Sequence, residues 1–127
     1  MNAVEIEQAV SSLVEEPFDP ATFPYAFLKS FGNPDTTIDR LRQGTTNHSD
    51  VGGVLQRNNI HILPAQPGRT SHALAKLKGS AASRSHGVRY ILATDGETLE
   101  AEDLTTGQEV AGSSPVAPII EKRREER

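Results

Sequence analysis

Apolar residues at Val4, Ile6, Ala9, Val10, Leu13 and Val14 recur at steps of three and four, which describes one face of a helix. Pro17 ends it. Asp19-Pro20 is a helix start, because Asp accepts bonds from orphan amides and Pro suits the first turn. The helix that follows places Phe23, Ala26, Phe27 and Phe31 on one side and stops at Gly32. Asn33-Pro34 repeats the start signal for a short third helix, Thr37 to Arg42, stopped by Gly44.

The period then changes. Thr45 to Gly53 is polar and glycine-rich and reads as a loop. Val54 to Leu63 partly alternates and reads as a strand, with Asn58-Asn59 as a weak point. Thr70 or Ser71 caps a helix carrying Leu74 and Leu77, which Gly79 stops. Ser80 to Gly87 is small and polar and reads as a loop. Val88 to Thr94 is the clearest strand. Asp95-Gly96 turns it into a return strand over Thr98 to Leu104, and Thr106-Gly107 turns again into Gln108 to Ala111. The order predicts an α+β fold: N-terminal helices, then a small mixed, largely antiparallel sheet with one packed helix.

Composition narrows the class. A chain of 127 residues allows one small core, and with 5% aromatic residues and no Trp that core is aliphatic. No cysteine is present, so disulfides and thiolate metal sites are excluded, and a cytoplasmic setting is expected. No apolar run approaches the roughly 18 residues of a membrane span. After Val110 the texture turns to GSSPVAP and a mixed-charge EKRREER run. Residues 1–110 therefore read as the domain and 111–127 as a disordered tail. The codons for Gly112 to Pro115 can spell the T-arm of a transfer-RNA gene, so a reading frame cut short near Val110 is expected.

The net charge of −4 hides blocks. Val51 to Ala93 holds six bases (Arg57, Arg69, Lys76, Lys78, Arg84, Arg89) and no acid, while Thr94 to Glu109 holds six acids and no base. Such blocks suit either a phosphate-facing surface or oppositely charged segments packed side by side. Arg57, Asn58, Asn59 and Lys76 are the candidate DNA contacts, since Arg and Asn can pair with base edges. Glu100 and Glu102 share one face of their strand and Asp103 takes the other, which reads as a solvated acidic hairpin. His48, His61, His72 and His86 lack the spacing of a helical zinc site, and His61 reads as a sheet-lining residue. No G-x-S-x-G elbow occurs.

Two stretches, FDPATFPYAFLKSFGNPDTTIDRLRQGTTNHSDVGGVLQRNNIHI and RYILATDGETLEAEDLTTG, carry a resemblance over about residues 3 to 110. They resemble the opening module of large S-adenosylmethionine-dependent, adenine-specific DNA methyltransferases of bacterial restriction-modification systems. The resemblance implies that the cofactor loop and the (Asp/Asn)-Pro-Pro-(Tyr/Phe) adenine pocket lie in later domains. Neither motif is here, and Asn33-Pro34 is followed by Asp35. In the combined restriction-methylation enzymes this module is itself a Mg²⁺ nuclease, with an Asp followed by a strand bearing Glu-x-Lys. By that resemblance Asp50 takes the first carboxylate's place, and Gln56-Arg57-Asn58 stands where Glu-x-Lys should be. The fold expected is thus a degenerate restriction-endonuclease-like one, with Asp50 only a remnant.

The reading that follows is a truncated methyltransferase module with no catalytic residues, metal or cofactor of its own. Its parent's remaining domains are absent, and DNA is a weak partner. One alternative is a small independent cytosolic protein that binds nucleic acid or a protein. A residual Mg²⁺ nuclease comes third.

Overall fold

The computed structural model describes residues 18–30 and 32–105, the backbone of 108–111, and Glu5, Ile6 and Gln8 of a helical segment. The first helix read from the sequence is seen there only through those three residues, and Ile6 is fully buried. Pro17, Phe31, the Thr106-Gly107 turn and the tail from Gly112 onward, including the frame boundary expected there, lie outside the described residues.

Helix α1 runs Phe23–Ser30 and buries Phe27 and Leu28. The Asp19 side chain accepts from the Ala21 N–H at 2.9 Å, so it organises the turn that leads into the helix. Helix α2 runs Asp35–Gln43 and buries Ile38 and Leu41. Gly44 ends it at φ 87°, donating to the Arg40 and Leu41 carbonyls. Asn33 does something the start signal did not anticipate. Its amide donates back to the Leu28 carbonyl at 2.8 Å, closing α1 instead of opening α2.

A five-stranded sheet follows in the order β1-β2-β3-β4-β5. The strands are β1 Val54–Gln56, β2 Ile60–Pro64, β3 Tyr90–Thr94, β4 Leu99–Asp103 and β5 Gln108–Ala111. The single strand expected over Val54 to Leu63 is instead the hairpin β1–β2, paired Val54↔Ile62 and Gln56↔Ile60. It breaks at Asn58, which sits at φ 62°, a left-handed conformation that Asn tolerates better than other side-chain-bearing residues. Strands β2 and β3 are parallel, Ile60↔Tyr90 through Pro64↔Thr94, and every other pairing is antiparallel.

The parallel step needs a crossover, supplied by α3 (Thr70–Lys78) and α4 (Ala81–Ser85). Helix α4 corrects the loop expected over Ser80 to Gly87. The Ser80 hydroxyl accepts from the Ser83 N–H at 3.1 Å and caps it, so a stretch without apolar period still nucleates one short turn.

Helices cover both faces of the sheet. Val54, Ile60, Ile62, Tyr90, Leu92, Leu99 and Ala101 pack with Phe27, Leu28, Ile38 and Leu41. Leu55, Leu63, Ile91 and Ala93 pack with Ala73, Leu74 and Leu77 of α3. Strand β3 is buried along its whole length, as a central strand enclosed on both faces must be. Among the described residues no helix is long and apolar enough to cross a membrane.

Gly53, at the entry to β1, has no room for a side chain. A Cβ there would stand 2.2 Å from the Ile62 carbonyl oxygen, a backbone atom that cannot swing away. Gly53→Ala is therefore expected to cost more than about 2 kcal/mol by prising the hairpin apart. A denaturation midpoint equal to that of the unsubstituted protein would contradict this packing.

Candidate functional site

The polar loop between α2 and β1 folds back along the hairpin, and a chain of side-chain bonds holds it there. The Asn47 amide oxygen accepts from the Ser49 N–H at 3.1 Å and the Leu55 N–H at 2.9 Å. The amide nitrogen of Asn47 donates to the Gly53 carbonyl at 3.0 Å. Ser49 Oγ accepts from the Gly53 N–H at 3.0 Å and, more weakly, from the Val51 N–H at 3.4 Å. With its lone pairs so used, the Ser49 hydroxyl directs its proton to His61 Nε2, 2.7 Å away. His61 Nδ1 then carries the ring proton and donates to Ser83 Oγ at 2.7 Å, an assignment made from the bonding pattern.

His61 is fully buried in the middle of β2. Burial disfavours its charged form and pushes its pKa down to about 4, against the pull of the Asp50 carboxylate. Asp50 itself accepts from Ser80 Oγ at 2.6 Å with one oxygen and from the Ala82 N–H at 3.3 Å with the other. The Ser80 hydrogen bond, more than any other influence, holds the Asp50 carboxyl below its ordinary range. Ser49, Asp50, His61, Ser80 and Ser83 thus tie the loop, β2 and α4 into one network.

This geometry does not fit a Mg²⁺ nuclease centre. The Glu-x-Lys position read at Gln56-Arg57-Asn58 is not a strand, since only Gln56 lies in β1. Gln56 donates to Asn33 Oδ1 at 3.0 Å and accepts from the Asn59 amide, on the sheet face that packs against α1 and α2. Asp50 bonds α4, across the opposite face. The two positions do not converge, and both Asp50 oxygens are already engaged by hydrogen-bond donors. Among the described residues no three His, Asp or Glu side chains gather as metal ligands.

The candidate DNA contacts divide. Arg57, Asn58 and Asn59 form the β1–β2 turn, with Arg57 and Asn58 exposed. Lys76 is exposed on α3. Two further side chains stand next to the turn. The Asn58 N–H donates to the His86 carbonyl at 2.9 Å, and His86 stacks on His48 with ring centroids 4.2 Å apart and planes 14° apart. Sequence spacing could not find this pair, because 37 intervening residues and a sheet crossover bring it together.

The acidic block is mostly engaged. Lys78 pairs with Glu102 at 2.6 Å and Arg89 with Asp103 at 3.5 Å, while Ser71 donates to Glu100 at 2.5 Å. Glu100 and Glu102 share the α3 face and Asp103 takes the other, as the alternation predicts. Asp95 orders the β3–β4 turn. Burial opposes its ionisation, but the N–H groups of Thr98, Glu97 and Gly68 outweigh that and leave its pKa lowered.

Two measurements check the network. His61 has a folded pKa of about 4 against an ordinary value of 6.5, so the unfolded chain takes up its proton first as pH falls. Stability should decline between pH 6.5 and 4 by up to about 3 kcal/mol. His61→Gln should flatten that decline, and an equally steep profile in this variant would show that other groups cause it. The Asp50 contribution is lost at lower pH, as the carboxylate protonates. Asp50→Asn supplies the second check. Neutralising a carboxylate in a metal-free ligand cluster relieves repulsion and raises the melting temperature, whereas neutralising one that binds donors lowers it. A fall of a few degrees is expected here, and a rise would restore the metal-site reading.

The family described as "MmeI, N-terminal domain" matches residues 1–117. DNA methyltransferase A of Bacillus subtilis (strain 168) is 29% identical over 107 residues, which cover 84% of this chain and 12% of that protein. No solved structure matches. These findings bear out the resemblance of the sequence blocks to the opening module of restriction-modification DNA methyltransferases. With its helices, hairpin and clamped loop all inside the matched span, the chain belongs to the MmeI N-terminal domain family.

Proposed function

We propose that this chain is the amino-terminal module of an adenine-specific DNA methyltransferase, serving as scaffold and DNA-proximal support, and that it transfers no methyl group alone. The observation that carries this reading is the family match over residues 1–117, a module-sized span that equals only a small part of the methyltransferase relative.

Methyl transfer needs a pocket for S-adenosylmethionine and another for the extruded adenine. The sequence contains neither the glycine-containing cofactor loop nor an (Asp/Asn)-Pro-Pro-(Tyr/Phe) motif, so both belong to the remaining domains of the parent enzyme. The side chains that are present do a different job. They clamp a polar loop to a buried histidine and leave the β1–β2 turn and α3 outward. Arg57, Asn58, Asn59 and Lys76 supply weak contacts to DNA that the rest of the enzyme holds. Nuclease chemistry is not part of this proposal, because Asp50 and Gln56 lie on opposite sides of the sheet.

Incubated with methyl-labelled S-adenosylmethionine and duplex DNA, the purified chain should incorporate no label, and incorporation would refute the reading directly. The module role has its own test. DNA methyltransferase A with its matching segment deleted should lose activity, and fusing this chain in its place should restore it at least in part. A fusion no better than the deletion would favour an independent small protein.

A further inference from the structure

Charge in this module is polarised along the strands. Strands β2 and β3 both start at the β1–β2 turn and both end beside the β3–β4 turn. Asp95 and Glu97 occupy the far end. At the near end stand Arg57 in the turn, Arg84 on α4, the C-terminal half of α3, and the stacked His48–His86 pair. Of the acids that reach this end, Glu102 and Asp103 are paired with Lys78 and Arg89, and the Asp50 carboxylate accepts from Ser80 and the Ala82 N–H. Among the described residues Arg57, Arg84 and Lys76 make no ion pair. Arg84 is anchored by donating to the Lys78 carbonyl at 3.0 Å.

We infer that this end of the sheet, centred on Arg57, Arg84 and the His48–His86 pair, is a contact surface for the phosphate backbone of duplex DNA. Three features favour that occupant. The unpaired cations match a polyanion, while the acidic turn at the other end is repelled by it, so the field orients the module. The imidazoles supply ring N–H donors whose direction is fixed by stacking. The turn beside them is tied to the pair, since the Asn58 N–H, at φ 62°, donates to the His86 carbonyl. The inference rests on the DNA-proximal role proposed above and adds the two histidines and Arg84, which sequence reasoning did not assign to DNA.

Binding of the full chain to a fluorescent duplex, followed by anisotropy at several salt concentrations, tests it. Arg57→Ala and Arg69→Ala remove the same charge, but Arg69 lies at the acidic end, where the adjacent Gly68 N–H binds Asp95. Arg57→Ala should weaken binding and reduce the slope of log affinity against log salt by about 1. Arg69→Ala should leave both nearly unchanged. His48→Ala, an exposed position that should not alter the melting temperature, is expected to weaken binding by about 2–10-fold. Equal losses from Arg57→Ala and Arg69→Ala would overturn the surface, because net charge alone would then account for binding. Wild-type affinity in His48→Ala would remove the histidine pair from it. No salt-dependent binding by the unsubstituted chain would overturn the surface outright, while the fusion experiment would still decide the module's place in a methyltransferase.

Discussion

A neutral imidazole sealed inside the sheet is the constraint on which the rest of this module depends. His61 has no access to water, so both of its nitrogens need partners within the protein. The partners are two serines from segments far apart in the chain, one in the loop before β1 and one on α4. Because a ring nitrogen that accepts must be matched by a hydroxyl that donates, the direction of each bond is determined by the next. Backbone N–H groups fill the acceptor positions of Ser49, so what it has left for His61 is its proton. The loop conformation, the histidine tautomer and the seat of α4 are therefore one choice.

The same network engages the acidic residue that stands near a nuclease position. A carboxylate that holds Mg²⁺ must present free oxygens and a second anionic ligand close by. Asp50 presents neither, for its oxygens accept from Ser80 and from the Ala82 amide. The polar groups of this region have been turned toward one another. The basic and acidic blocks show a milder form of the same arrangement, with Lys78 of α3 and Arg89 neutralising Glu102 and Asp103 of β4.

Much of the fold was legible because local signals and tertiary demands agreed. The helix start at Asp19-Pro20, the stop at Gly44 and the turn at Asp95-Gly96 all appear where backbone chemistry requires them. Besides Asn33, which closes α1, and Thr70 and Ser71, which bond Thr98 and Glu100 and do not cap α3, two stretches were misread for definite reasons. The apolar positions of Val54 to Leu63 stand on both sides of the polar run Gln56 to Asn59, and the run is a turn because Asn58 takes φ 62° there. Ser80 to Gly87 has no apolar stripe, and its helix depends on the Ser80 cap and on Asp50, 30 residues upstream. The site was less legible than the fold. His61 could be read as lining the sheet, but its serine partners carry no signature. The His48–His86 pair exists only once β2, the crossover and β3 are assembled.

Asn47 gives the module a sidedness that its sheet would otherwise lack. One amide side chain binds both the Leu55 N–H of β1 and the Gly53 carbonyl at its entry, on the edge away from β2. An unpaired strand edge is an invitation to add another strand from any passing chain. Here that invitation is withdrawn on the β1 side by a single residue, which performs the bonding that a sixth strand would perform. The hairpin that carries Arg57 is thereby closed to a further strand along this edge.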